Sequence, residues 1–367
     1  MTHESLLARE TAPATAAESY GPADAGPSGQ GVRSLVSVVM PVRNEERHVI
    51  AAISSVLEQQ VPLELLVVDG MSTDRTVELV RSIGDPRVRV LQNPARTIPA
   101  ALNIGLTAAR GEFVARVDAH ARVNSSYLAT GARQLEDVEV AAVGGIRIAV
   151  AETPTGTAIG AALASPFGVG NSINHYADQA QDTDHASFGV YRTAVAKSVG
   201  GWDERLLVNE DVDFDHRIAL AGHRIRFDPS MKIYWQVRET IPDFARQYRR
   251  YGRGKAAMVR KNGTAAVRIR HLAAPALVAM LVSSALLIFG RRPKAALALV
   301  APYGVALTAA TVKTMRSNDS PLKPTALVGS FATMHLTWGL GFLEGLLFKR
   351  QPVAATARDP RTKHRRR

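Results

Sequence analysis

The residues with the most chemical capacity fall in four short clusters. Asp118-Ala119-His120 follows an apolar run, and side chains two apart on an extended segment share one side, so a carboxylate and an imidazole would converge on a common point. Such a pair suits a divalent cation that takes its other ligands from phosphate oxygens and water; a histidine held by structural contacts is the plain alternative. Asn209-Glu210-Asp211-Val212-Asp213 sets three carboxylates within four residues ahead of an apolar helical pattern, more than helix-dipole pairing requires. One of them could act as general base toward an incoming hydroxyl. At helical spacing Gln247, Arg250 and Tyr251 fall on one face, where an arginine can neutralise a pyrophosphate and a tyrosine can stack on a sugar ring. A solvated basic helix accounts for the same residues. Asp69, ahead of Gly70, can accept hydrogen bonds from a base or ribose, or close a turn with Ser72 and Asp74.

Positioning these groups takes a regular frame, and the sequence supplies one. Residues 35–40 form a short β-branched run broken at Pro41, and Val49, Ile50, Ile53, Val56 and Leu57 recur at helical spacing until Pro62. Strands are then expected at 63–68, 88–91 and 113–117, and helices at 76–83 and 100–109. Strand and helix alternate, which predicts an α/β doubly wound, mostly parallel sheet with ligands at the carboxyl ends of the strands. The loops leaving those ends are polar: Pro41 to Glu45, Asp69 to Asp74, and Asp118 to His120. None carries GxGxxG or a Walker lysine, which counts against dinucleotide-binding and P-loop readings.

The chain has 367 residues, 46% of them hydrophobic, enough for one large core with something appended. The absence of cysteine removes disulfides, thiolate metal sites and cysteine nucleophiles together. Formal charge is +12, but residues 246–270 hold nine Lys/Arg and no acid, and residues 349–367 hold eight with Asp359 alone, so the remainder is net acidic. The basic segments flank the most apolar stretch, a pattern that points to membrane lipids and not to nucleic acid. Residues 1–33 read as a disordered leader without the apolar core of a secretory signal. A domain is expected over 34–255, a basic juxtamembrane segment over 256–271, two or three hydrophobic helices over 272–348, and a basic tail over 349–367. From Leu272 to Gly290 no Asp, Glu, Lys or Arg occurs; 295–312 is similarly apolar, and 326–348 also, except for Glu344. Three full crossings would separate two basic flanks. One segment is therefore expected to be re-entrant or interfacial, or the tail to break the positive-inside tendency.

Taken in order, Val38 to Glu46, Val67 to Asp74, Asp118-Ala119-His120, Glu210-Asp211 and the QxxRY of Gln247, Arg250 and Tyr251 resemble the family-2 inverting glycosyltransferases of the GT-A fold, over roughly residues 34–255. Arg116-Val117-Asp118-Ala119-His120 with the membrane tail looks like the bacterial exopolysaccharide glucosyltransferases. The resemblance implies that Pro41 and Glu45 shape a nucleotide pocket and that Asp69 reads the uracil. Asp118 would lie beside ribose and diphosphate, with His120 in the place of the last Asp of the DxD metal motif. Asp211 matches the catalytic base, Arg250 meets the donor, and Gln247 and Tyr251 hold the acceptor. His120 for Asp, Gly70 for a frequent second Asp and Tyr251 for Trp depart from the pattern.

The expected enzyme is membrane-bound and uses Mg²⁺ or Mn²⁺ to move a sugar from a UDP-sugar to a saccharide, lipid-linked, at the cytoplasmic face of the inner (plasma) membrane in a multi-pass arrangement. The alternatives are a polyprenyl-phosphate sugar transferase, whose acceptor needs no base, and a membrane-anchored nucleotide- or saccharide-binding protein without turnover.

Overall fold

Alternating apolar runs and amphipathic segments become β1 (Val36–Val42), α1 (Val49–Leu57), β2 (Leu63–Asp69), α2 (Thr76–Ser82), β3 (Val88–Gln92), α3 (Ile98–Ala108) and β4 (Phe113–Arg116). The computed structural model describes residues 33–263, 267–318 and 321–348, so the leader up to residue 32 and the basic tail from residue 349 lie outside the described residues. Next come β5 (Ala121–Val123), α4 (Tyr127–Gln134), β6 (Val140–Val150), α5 (Pro154–Leu163), α6 (Pro166–Val169), a 3-10 turn (Ile173–His175), β7 (Gln181–Asp182) and β8 (Val190–Arg192). They are followed by α7 (Thr193–Ser198), α8 (Glu210–Leu220), β9 (Arg224–Gln236) and the long α9 (Ile241–Asn262).

The strands join in one sheet of order β3-β2-β1-β4-β8-β6-β9-β5, with β7 against β9. Its long ladders are parallel, and β8 runs antiparallel between β4 and β6. Successive side chains of β1 and β2 feed opposite faces: Val38, Met40, Leu65 and Val67 pack with α1, whereas Val39, Leu66 and Val68 pack with α3 and α8. Both faces are covered, which is why these strands are apolar at nearly every position. The chain goes from β1 outward to β2 and β3, then returns to β4 on the other side of β1. That reversal opens a crevice at the carboxyl ends of β1 and β4, where ligands of such sheets bind.

Pro41 does not end the first strand. β1 continues through it, pairing Pro41 with Val68 and Val42 with Asp69. The β1–β4 ladder has already stopped at Val39 and Arg116, so the missing N–H of Pro41 faces no partner strand.

Three further helices, α10 (Arg270–Phe289), α11 (Pro293–Arg316) and α12 (Pro324–Leu347), are long and apolar enough to cross a membrane. They are not equivalent. Only 11% of the apolar window of α10 and of α11 is buried, against 39% for α12, which lies along α9. Glycines make the approach possible: a Cβ at Gly341 would run into the Arg249 carbonyl, and one at Gly345 into Ala256. Glu344, the one acid in that apolar run, faces α9 and pairs with Arg249 and with Arg253, the latter at 2.7 Å.

Candidate active site

The loops at the carboxyl edge are held in unusual backbone conformations. Of the six non-glycine residues with positive φ among the described residues, Asn44, Met71, Arg96, Phe188 and Asn209 all lie in these loops. Each costs about 1 kcal/mol or more, a concentration that functional edges tolerate. Asn44 ties two loops together: its side-chain oxygen accepts from the Thr73 amide at 2.8 Å, and its own amide donates to Ser72 Oγ at 3.1 Å. The Glu45 amide donates to Thr76 Oγ1 at 2.8 Å. Asp69 is buried at the end of β2 and accepts from the Ser72 amide at 3.1 Å, so it closes the turn while standing at the ligand edge.

Arg116 is the centre of the site. Its Nε and Nη2 donate to the two carboxylate oxygens of Asp118 at 2.8 and 3.2 Å, and its Nη1 donates to Glu210 Oε1 at 3.1 Å. All three side chains are nearly buried. Burial works against both ions of the Arg116–Asp118 pair, but their mutual attraction wins, holding Asp118 low and raising Arg116 further.

The adjacent acids of α8 are driven apart. Burial, then the charge of Asp211, pushes Glu210 up to about 7 against the pull of Arg116. Burial opposes ionisation of Asp211 too, yet the charges of His185 and Arg116 outweigh it and hold Asp211 below the usual carboxylate range. Neighbouring acids held apart in this way can take different parts in proton transfer. The Asp211 side chain is also 35% exposed, so a substrate can reach it.

His185 has Nδ1 2.6 Å from Oδ2 of the fully buried Asp215, which also accepts from the Ala186 amide at 2.8 Å. Opposite, Nε2 lies 4.0 Å from Asp211 Oδ2. Burial disfavours the imidazolium, but Asp215 and Asp211 raise the His185 pKa above its ordinary value. Asp211 and Asp215, four residues apart on α8, thus grip one histidine between them.

Asp118 and His120 stand on a turn and not on an extended segment. Residues 118–120 form a turn closed by the Ala121 amide on the Asp118 carbonyl at 2.9 Å. Asp118 therefore turns to Arg116, while His120 Nδ1 lies 3.5 Å from Glu45 Oε1. Burial disfavours the charge on His120, but Glu45 and Asp118 raise its pKa. Among the described residues no group of three or more His, Asp or Glu side chains is arranged to hold a metal ion. An imidazole beside a carboxylate does fit a divalent cation that draws its remaining ligands from a diphosphate.

On α9, Gln247 Nε2 donates to Tyr251 Oη at 3.0 Å, and Phe244, Tyr248 and Tyr251 form a run of rings 4.6 and 5.6 Å apart. The Tyr251 carbonyl accepts from Asn209 Nδ2 at 3.4 Å, which sets this helix against the start of α8. Arg250 has its Nε buried without an acceptor and no ion-pair partner among the described residues.

Two features escape the sequence reading. One is the His185–Asp215 pair, for which the four-residue spacing of Asp211 and Asp215 was the only local sign. The other is Arg147 on β6, whose guanidinium lies 4.1 Å over the Trp235 ring with Nε buried and unpartnered. Its charge acts on Asp118, Asp211 and His185. A single arginine in an apolar strand gives no signal of that kind.

The family model described as Glycosyl transferase family 2 matches residues 37–197. The succinoglycan biosynthesis protein ExoA of Rhizobium meliloti is 33% identical over 336 residues, which is 86% of this chain and 96% of that protein. A pre-mycofactocin glycosyltransferase of Mycobacterium tuberculosis is 29% identical over 240 residues, 63% of this chain and 48% of that one. Among solved structures, the mannosyltransferase PcManGT from Pyrobaculum calidifontis, in complex with GDP-Man and Mn²⁺, superimposes with a TM-score of 0.57 at 21% identity. The match covers 87% of this chain and 88% of that chain and shows a common fold.

Proposed function

The chain belongs to glycosyl transferase family 2 and is a glycosyltransferase with three long apolar helices behind its α/β core, and from that premise we propose that it transfers a sugar, with inversion, from a UDP-sugar to a hydroxyl of a lipid-linked saccharide in cell-envelope or exopolysaccharide synthesis. The observation that carries this reading is the splitting of Glu210 and Asp211, which leaves one accessible, ionised carboxylate at the carboxyl edge of the sheet.

In the proposed reaction the acceptor hydroxyl attacks the anomeric carbon of the donor in line with the departing diphosphate. Its proton passes to the Asp211 carboxylate, and the bond between the anomeric carbon and the UDP oxygen breaks as the new glycosidic bond forms. Arg116 and His185 keep Asp211 ionised until then. Pro41, Glu45 and Asp69 frame the nucleotide, with Asp69 toward the base. Arg250 and Arg147 are guanidinium groups without acid partners among the described residues and suit the diphosphate. His120 with Glu45 would hold Mg²⁺ or Mn²⁺, with Asp118 behind them fixing Arg116; such an ion supplies positive charge beside the leaving diphosphate when bound. Gln247 and Tyr251 offer a polar and aromatic platform for the acceptor sugar. Helices α10 to α12 anchor the enzyme at the inner face of the plasma membrane, with the catalytic domain cytoplasmic.

Asp211→Asn tests the reading. Transfer to a hydroxyl acceptor should fall by roughly 10³-fold while UDP affinity is kept, measured with radiolabelled UDP-sugars and membranes carrying the protein. Near-normal turnover would instead support a phosphate acceptor, which is already ionised at neutral pH.

A further inference from the structure

Helix α9 does not stop at the aromatic platform. Gln247, Tyr251 and Lys255 follow each other at four-residue spacing on one face, and Lys255 is 6% exposed although it carries an ammonium group. Among the described residues its Nζ has no carboxylate partner; its hydrogen-bonding neighbour is the Met258 sulfur at 3.6 Å. The groups acting on it electrostatically are Arg268 and Arg270, where α10 begins, and Asp184. That one acid is already shared, at 3.3 Å from Arg270 Nη2 and 3.6 Å from Arg268 Nε. Arg270 Nη1 also donates to Asn171 Oδ1 at 2.6 Å. Three cations thus lie about one carboxylate, with Lys255 buried, Arg270 largely so, and Arg268 and Asp184 open to solvent. Burial, and then the charge of Arg270, lowers the Lys255 pKa to about 8.

A buried ammonium without an anion is costly to fold, so a chain that keeps one there gains from it elsewhere. The surroundings indicate what an anion bound here would be attached to. Asp184 directly precedes His185, whose ring faces Asp211. Lys255 stands about 6 Å along the helix from Tyr251, roughly one sugar ring away. Arg270 is the first residue of the first helix long enough to span a membrane. An anion here would have the sugar-transfer site on one side and hydrocarbon on the other.

Building on the lipid-linked acceptor proposed above, we infer that Lys255, Arg268 and Arg270 bind the phosphate-bearing link between lipid and saccharide in that acceptor, a mono-anionic phosphodiester or a di-anionic diphosphate diester at the foot of α10. Catalysis and acceptor anchoring then lie one helical turn apart on α9, which selects an acceptor whose reacting sugar is at, or next to, the phosphate.

The test uses the full-length chain in phosphatidylcholine nanodiscs with UDP saturating, so that the donor pocket is filled. Decyl diphosphate should bind the wild type, and Lys255→Met and Arg270→Gln should each weaken it at least tenfold, while decanol should not bind. Lys255→Met should also raise the ligand-free melting temperature, since it removes an unpaired buried charge at similar volume; a merely structural lysine would lower it. Equal binding by wild type and variants, or none by wild type, overturns the site. Loss of decyl diphosphate binding when the nanodisc lipid is phosphatidylglycerol would assign the cations to bilayer headgroups and overturn it too. The two readings fail separately. Lys255-dependent binding without any saccharide transfer leaves this site standing and removes the proposed reaction. Transfer whose acceptor KM is unchanged by Lys255→Met, on lipid-diphosphate and phosphate-free glycosides alike, does the reverse.

Discussion

Two charged pockets lie within a short stretch of this fold and are built on opposite principles. At the carboxyl edge of the sheet the charges next to Asp211 have counter-charges in the chain, Arg116 with Asp118 and Glu210 and His185 with Asp215 and Asp211, whereas Arg147 and Arg250 have no acid partner among the described residues. At the foot of α10, Lys255, Arg268 and Arg270 share Asp184 alone. The difference separates a site that must be ready before substrate arrives from one that is completed by what it binds. A general base has to be ionised and oriented in advance, whereas an anchoring site gains affinity by leaving its cations unsatisfied.

The balance at the sheet edge breaks most severely at Arg116. Arg116→Met leaves two buried carboxylates facing each other and should cost about 3–5 kcal/mol of stability by denaturant unfolding. A loss under about 1 kcal/mol would mean that the pocket is not balanced by this arginine.

Glu210→Gln is gentler and sharpens the contrast through pH. Because its native pKa lies near 7, above the ordinary 4.5, the folded state binds the Glu210 proton more tightly than the unfolded state does. Its contribution to stability is present at acid pH and is lost as pH rises from about 4.5 to 7. Glu210→Gln should flatten that component, and unfolding midpoints at pH 5 and 8 read it directly. An unchanged slope in the variant would show that Glu210 titrates normally.

The smallest effect expected is a displacement of the pH–rate profile. His185 faces Asp211 and Asp215 from α8, Arg147 from β6 and His175 from the 3-10 turn. His185→Gln removes the cation nearest the base, so the acid limb of the transfer rate should move up by about 1 unit, with the rate recovering at higher pH. A uniform loss at every pH would reduce His185 to a packing role.

Much of this molecule is written locally. Runs of β-branched residues and helical periodicity determine the first four strands, and where the three helices start, to within two residues, because those signals act over a turn or a pleat. The carboxylates at the strand ends follow from the same pattern, and so do the three apolar helices, whose length and composition need no partner to be read. Contacts over long sequence distances left no such trace. Nothing near Arg116 announces Glu210, 94 residues away, and nothing near His185 announces Asp215. At 118–120 a turn closed by a backbone hydrogen bond, not strand alternation, set the directions of Asp118 and His120. Glu344 read as an interruption in an apolar helix until α9 gave it two arginines. Lys255 was one more base in a basic segment; its burial comes from tertiary packing, in which α9 lies along α12. Sequence determines which groups can carry charge and on which element they stand, since both depend on short-range covalent order. Which charges lose their water, and which meet an opposite charge, is decided by the tertiary fold, because desolvation and ion pairing depend on distance in space.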